Sequence, residues 1–208
     1  MLWNWEQQDW PDFHYGVAAM ERLEKRFLLQ SGTFVGAFKH VGASDRELLK
    51  IELISDEALK TSEIEGEILN RHSVQSSLLH QFGLGPVQPR IPAAERGIAE
   101  MMVDLYQTFA QPLSSKALFR WHEMLLRGNR SVSVIGRYRR HADAMQIVSG
   151  LDHRRRVHFQ APPSDRMAAE MKAFIKWFND TAPGGKRPLQ PVTRTGIAHI
   201  YFVSIHPF

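Results

Sequence analysis

Apolar residues recur at helical spacing along most of this chain, and that periodicity limits the fold more than any other feature. In the clearest run, Met167, Met171, Phe174, Ile175 and Phe178 follow one another at intervals of 4, 3, 1 and 3 residues. Such intervals place all five side chains on one face of a helix. The pattern predicts a helix that buries this face against other helices.

Capping residues indicate where further helices begin and end. Ser44 followed by Glu47 is the pattern of a capping box, and Gly66 suits the left-handed backbone that often ends a helix. Ser114 and Ser164 are predicted N-caps of two later helices. We expect helices at about residues 15–38, with an interruption near Gly32 and Gly36, and at about 44–64, 72–81, 92–109, 118–126, 164–180 and 192–205.

The helical pattern changes between residues 144 and 159. Met145–Val148 and Val157–Phe159 are short apolar segments on either side of a charged, turn-rich stretch that begins at Ser149 and Gly150. This arrangement predicts a β-hairpin. The expected fold class is therefore all-α with one hairpin. A Gly- and Pro-rich stretch over residues 82–91 predicts a boundary between a region at 1–90 and a region at 91–208.

The composition excludes several kinds of site. The chain has no cysteine, which excludes disulfides, thiolate metal sites and a cysteine nucleophile. It has no apolar run long enough to cross a membrane, and residues 1–6 lack the pattern of a signal peptide. We therefore expect a cytoplasmic protein without a membrane partner.

Charge is distributed unevenly along the chain. Residues 1–100 hold 10 Lys and Arg against 15 Asp and Glu, whereas residues 101–208 hold 16 against 7. The densest basic clusters are Arg137–His141 and Asp152–His158. An anionic ligand would bind the basic half more readily, and nucleic acid, nucleotide phosphates or a solvated loop would each explain these clusters.

Several segments resemble the Fic (filamentation induced by cAMP) family in their order and spacing. Gly196–Phe208 is similar to the helix that leads into the family motif and to its first three residues, H-P-F. Gly136–Arg139 resembles the family's G-x-x-R stretch, and residues 146–150 with 157–163 resemble its flap hairpin. The Trp-rich lead-in over residues 3–15 resembles an N-terminal region found on some Fic proteins. Thr61-x-x-x-Glu65-Gly66 resembles the inhibitory pattern of the subset that carries it on the N-terminal side.

The resemblance implies a protein adenylyltransferase that transfers AMP from ATP to a hydroxyl side chain of a target protein. His206 would be the catalytic base, since a neutral imidazole can accept the hydroxyl proton. Pro207 and Phe208 would be motif scaffold. Val157, His158 and Phe159 would form the flap at which the target or nucleotide docks.

The same resemblance places part of the catalytic machinery outside this sequence. The family motif continues past H-P-F through an acidic Mg²⁺ ligand to G-N-G-R and a second arginine, so the metal ligand is expected beyond residue 208. We expect no metal site within the chain, because His199 and His206 lack HExxH spacing and an evident third ligand. The chain is accordingly expected to be truncated and, taken alone, inactive.

Glu65 would be the inhibitory residue. In the family the corresponding glutamate pairs with the second motif arginine and keeps the ATP γ-phosphate from binding productively. Thr61 would stabilise the same helix end, and Gly66 would terminate it.

Two other functions stay open on the sequence alone. The chain could be a non-enzymatic binding or dimerisation module, which also leaves a homodimer open. The basic half could instead belong to a nucleic-acid-binding regulator, although no recognition-helix spacing repeats there.

Overall fold

The computed structural model describes residues 2–86, 88, 90–150 and 154–208. Within these ranges the chain forms seven α-helices and one antiparallel pair of strands, which confirms the predicted all-α fold class with a hairpin. The described residues fall into two compact units, each defined by the contacts among its own residues. One contains the described residues of 1–32 and 137–208, and the other contains those of 33–136. The boundary predicted between residues 90 and 91 was based on the Gly- and Pro-rich stretch and not on contacts, and it stays a prediction.

The first helix differs from the sequence prediction. Helix α1 runs without a break from Val17–Phe38, so the interruption predicted near Gly32 and Gly36 is wrong. Glycine inside a helix lowers stability by only about 1 kcal/mol relative to alanine, which a helix of this length can tolerate.

The unit at residues 33–136 is a group of packed helices. Its helices are α2 (Ala43–Ile64), α3 (Arg71–Gln81), α4 (Ala93–Thr108) and α5 (Ser115–Leu126). The most deeply buried core side chains come from α2, α3 and α4 and include Ile54, Val74, Leu78 and Ala99. Helices α4 and α5 come close at Gly97, where a Cβ atom would lie 2.0 Å from the carbonyl oxygen of Met124.

Helix α2 ends as the sequence predicts but begins differently. Its N-cap is Gly42, and Ser44 is the second helical residue with no capping role, so the predicted capping box is wrong. At the other end Gly66 has a φ of 85°. The Gly66 N–H donates to the Glu63 carbonyl at 3.0 Å, and the Glu67 N–H donates to the Ser62 carbonyl at 2.9 Å. This pair of bonds is a Schellman motif, which glycine permits because it has no Cβ.

The other unit contains the last two helices and the hairpin. Its elements are the 3-10 turns Asn4–Glu6 and Ser164–Arg166, strands β1 (Gln146–Ser149) and β2 (Arg156–Gln160), and helices α6 (Met167–Asp180) and α7 (Pro191–Ile205). Tyr201 of α7 is fully buried, and its ring packs edge-on against Trp10, Phe174 and Trp177. The predicted apolar face of α6 therefore packs on α7.

The strands form the predicted hairpin with one irregularity. Gln146 pairs with Gln160 and Ile147 with Phe159, but Val148 pairs with Val157. The extra residue on β2 is therefore a bulge, which bends the strand locally.

Of the two later serines predicted to be N-caps, Ser114 is one and Ser164 is not. The Ser114 hydroxyl accepts a hydrogen bond from the Ala117 N–H at 3.2 Å, as expected of an N-cap of α5. Ser164 instead begins a 3-10 turn, and its hydroxyl donates to the carbonyl of His141 at 2.8 Å.

No helix among the described residues is long and apolar enough to cross a membrane. The cytoplasmic location stays a prediction.

Candidate functional site

His206 follows directly after the last residue of α7, in an unusual backbone conformation. It is the C-cap of the helix, with φ 49° and ψ 67°, and its N–H donates to the carbonyl of Phe202 at 3.0 Å. Among the described residues it is the only one other than glycine with a positive φ. The left-handed region costs a side-chain-bearing residue on the order of 1–2 kcal/mol. Surrounding contacts must therefore hold His206 in place.

The Arg139 side chain supplies those contacts. It is only 4% exposed. Its Nε donates to the His206 carbonyl at 2.7 Å, and one terminal nitrogen donates to the Ile205 carbonyl at 3.2 Å. The guanidinium also donates to the Pro162 carbonyl at 2.5 Å and to the Ser164 hydroxyl at 2.9 Å. One rigid cation thus joins the exit of α7 to the segment that follows the hairpin.

The residues after His206 are fixed by the same region. The Arg139 N–H donates to the carbonyl of Pro207 at 2.9 Å, and Pro207 is buried. The Phe208 ring packs against the rings of Tyr138 and Phe202, with centroid separations of 5.8 and 6.4 Å. Both residues are therefore held by packing and a main-chain hydrogen bond, and their role as motif scaffold stays a prediction.

The imidazole of His206 is kept neutral by its surroundings. Partial burial lowers its pKa below the ordinary value of 6.5, and the positive charge of Arg139 lowers the pKa further. A lowered pKa means that the neutral form predominates at pH 7. The side chain can therefore accept a proton under neutral conditions.

The N-terminal lead-in contacts both α7 and the hairpin. The Asn4 amide donates to the Ser204 hydroxyl at 2.6 Å, two residues before His206. The Trp5 indole N–H donates to the Gln160 carbonyl at 2.6 Å, and the Trp3 ring meets the Phe159 ring edge-on at 5.7 Å. Sequence patterns did not predict these pairings, because they join residues more than 150 positions apart.

A buried glutamate lies at the opposite end of α7. Glu24 of α1 accepts hydrogen bonds from the N–H groups of Thr193 at 2.7 Å and Val192 at 3.1 Å. Sequence reasoning missed this residue. One signal was available: Gln190, the N-cap of α7, is not a residue that caps helices well, so another acceptor was needed.

The predicted flap residues lie on β2 and differ in exposure. Val157 and His158 are exposed, whereas Phe159 is half-buried. His158 lies at the bulge, and its Nε2 is 2.5 Å from the Ser149 hydroxyl on β1. The hairpin thus presents apolar and hydrogen-bonding side chains together.

The predicted inhibitory residues lie in the unit at residues 33–136. Glu65 is the C-cap of α2, immediately before Gly66 of the Schellman motif, and its N–H donates to the Thr61 carbonyl at 3.3 Å. Both Thr61 and Glu65 line a cavity of about 520 Å³, whose other walls come from the start of α4 and the end of α5. The backbone around Glu65 is therefore well fixed while its side chain stays exposed.

No group of three or more His, Asp or Glu side chains in the described ranges could hold a metal ion. His199 of α7 is exposed, and His206 follows the end of that helix. The described residues do not offer a site that fits Mg²⁺. The expectation of a metal ligand beyond residue 208 stays a prediction.

We expect Arg139→Lys to lower the free energy of unfolding by about 3 kcal/mol, because lysine keeps the charge but leaves buried carbonyl acceptors unpaired. Denaturant unfolding measures this change. Arg140→Lys is the matched control, since Arg140 is exposed, and it should change stability by less than about 0.5 kcal/mol. Equal stabilities for the two variants would contradict the stabilising role assigned to the hydrogen bonds of Arg139.

Comparison with known proteins finds two family matches within the chain. Residues 112–208 match the Fic/DOC family, and residues 3–84 match a domain of unknown function, DUF4172. No curated protein matches the chain.

Among solved structures, a Fic family protein from Desulfovibrio desulfuricans G20 is similar, with 22% sequence identity and a TM-score of 0.56. The match covers 95% of this chain and 54% of that protein, so the chain spans about half of its length. At this identity the likeness shows the fold alone. Residues 112–208 thus match the Fic/DOC family, residues 3–84 match DUF4172, and the fold is shared with a solved Fic family protein.

Proposed function

We propose that the protein containing these residues is a protein adenylyltransferase that transfers AMP from ATP to a hydroxyl side chain of a target protein. The observation that carries the proposal is the setting of His206, a neutral imidazole held in a left-handed C-cap by the buried guanidinium of Arg139. Fic family regions are in general associated with this type of transfer. A fixed neutral base suits a reaction that begins with removal of a hydroxyl proton.

In the proposed step the target hydroxyl oxygen attacks the α-phosphorus of ATP. A new P–O bond forms to the target while the bond between the α-phosphorus and the bridging oxygen breaks. Pyrophosphate leaves with the electron pair, and His206 Nδ1 or Nε2 takes the hydroxyl proton. Fixing the imidazole beforehand lowers the entropic cost of reaching this arrangement.

The hairpin is the proposed docking element for the target. Its outer side chains Ile147, Val148 and Val157 are exposed, and a two-stranded sheet leaves main-chain hydrogen-bonding groups at its edges. An extended target segment could pair with such an edge through backbone hydrogen bonds, which tolerate varied sequences. His158 and Phe159 would then contact the target or the nucleotide.

We also propose that Glu65 restrains the activity. The Schellman motif fixes the backbone at the end of α2, so the Glu65 carboxylate is presented from a defined point. Pairing with an arginine of the catalytic motif would compete with the ATP γ-phosphate for the same cation. Mg²⁺ would neutralise phosphate charge when bound, through ligands outside the described residues.

Incubation of the native protein with α-labelled ATP and a target lysate tests the catalytic role of His206. We expect His206→Ala to lower incorporation of labelled AMP by about 10²–10⁴-fold, because the base is lost. His199→Ala removes an exposed histidine from the same helix and should leave incorporation unchanged. Incorporation by His206→Ala at the native rate would contradict the proposal.

The inhibitory role of Glu65 requires a separate comparison. Loss of a charge-assisted pair worth about 1.5–3 kcal/mol predicts that Glu65→Gly raises AMP incorporation about 10–100-fold. Glu63→Gly places the same residue two positions earlier in α2 and controls for weakening of the helix end. If both variants raise incorporation equally, the effect comes from helix stability and the inhibitory role of Glu65 is wrong.

A further inference from the structure

Helix α7 lacks an N-terminal cap of its own. Its N-cap residue, Gln190, makes no side-chain capping hydrogen bond, and Pro191 occupies the first helical position. Backbone N–H groups in the first turn of a helix have no partner within the helix. Because the start of α7 is partly buried, these donors need an acceptor from elsewhere in the protein.

Glu24 provides this acceptor from α1. Its two carboxylate oxygens bind the N–H groups of Val192 and Thr193, 168 and 169 residues away in sequence. Glu24 is 6% exposed, and no other described residue of α1 is buried. Carboxylates are seldom buried without a partner. The burial of Glu24 in α1 therefore indicates a specific contact with the start of α7.

The Glu24 carboxylate remains charged at neutral pH. Burial by itself would raise its pKa, but the hydrogen bonds from Thr193 and Val192 lower the pKa below the ordinary value of 4.5. A negative charge at the start of a helix complements the positive end of the helix dipole. Arg139 complements the negative end, so buried charges of opposite sign hold the two ends of α7.

The cap at the start of α7 matters for His206 because a tilt of the helix moves its far end, where His206 lies. Fifteen residues at 1.5 Å per residue make the helix about 22 Å long, so a tilt of about 3° would displace its far end by about 1 Å. A misplacement of about 1 Å can lower a catalytic rate about 10²-fold. The cap at Val192 and Thr193 therefore bears on the position of the imidazole.

We propose that Glu24 is a positioning residue for His206, acting through α7. The inference rests on the proposed function for its catalytic consequence, but the structural effect on His206 is independent of it. It also gives a role to part of the DUF4172 match, since Glu24 lies within residues 3–84. In this role the first helix of that region is a component of the catalytic scaffold.

Two readouts on the native protein test this proposal. The first is the NMR resonance of the His206 ring in protein labelled at histidine, for Glu24→Ala, Glu24→Gln and the control Glu21→Gln. Glu21 is exposed on the same helix. We expect the resonance to shift in Glu24→Ala, to return at least halfway in Glu24→Gln, whose carbonyl oxygen still accepts a hydrogen bond, and to stay unchanged in the control.

The second readout is AMP transfer, measured at a temperature at which each variant is folded. We expect kcat to fall about 10²-fold in Glu24→Ala and about tenfold in Glu24→Gln, with KM for ATP changed by less than about twofold, because positioning affects the reaction step. A merely destabilising change would lower the amount of folded protein without altering kcat per folded molecule.

An unchanged His206 resonance in Glu24→Ala would overturn the proposal. If Glu24→Ala does not fold, Glu24→Gln decides by the same comparison with Glu21→Gln. A shifted resonance in a protein that transfers no AMP in its native form would support positioning by Glu24 and contradict the proposed function, so the two failures are distinguishable.

Discussion

The Arg139 guanidinium holds together the part of the structure that positions the candidate base His206. It binds the carbonyl oxygens of Ile205 and His206 at the end of α7 and the Pro162 carbonyl after the hairpin. A helix leaves its last carbonyl groups without intrahelical partners, and here a single buried cation satisfies two of them. The same contacts stabilise a left-handed conformation at His206 that would otherwise favour glycine.

Charge links this geometry to chemistry. Arg139 binds the His206 main chain, and its charge disfavours protonation of the His206 ring. One side chain therefore fixes the position of the candidate base and adds to the effect of burial, which lowers the pKa of the ring. Glu24 complements it at the far end of α7, where the helix dipole has the opposite sign. The N-terminal lead-in adds a third attachment through the Asn4 amide and Ser204.

Local sequence signals predicted the elements better than the contacts between them. Periodicity located α6 and α7, and Gly66 marked the end of α2, because these features depend on residues within one or two helical turns. Ser164 was misassigned as a cap because its hydroxyl bonds with Arg139 and His141. These partners are more than 20 residues away, so a local sequence pattern does not predict the contacts. Glu24 was missed for the same reason.

The site was predictable only in part. The position of His206 at the exit of α7 followed from the length of the helix, and the G-x-x-R resemblance included Arg139 without giving its role. Its role as a clamp requires the fold, which brings Arg139 to a helix end 66 residues later. Glu65 could be located from the inhibitory pattern, whereas the cavity it lines required α4 and α5 to be packed nearby.

The central claim is that His206 is a neutral base fixed at the end of α7. The pH dependence of kcat/KM for AMP transfer by the native protein tests it most directly, because its acid limb reports the pKa of an essential base in the free enzyme. The lowered pKa predicts an acid limb whose midpoint lies below 6.5, with full activity at pH 7. A midpoint above 6.5, or a rate that does not fall in acid, would contradict the account.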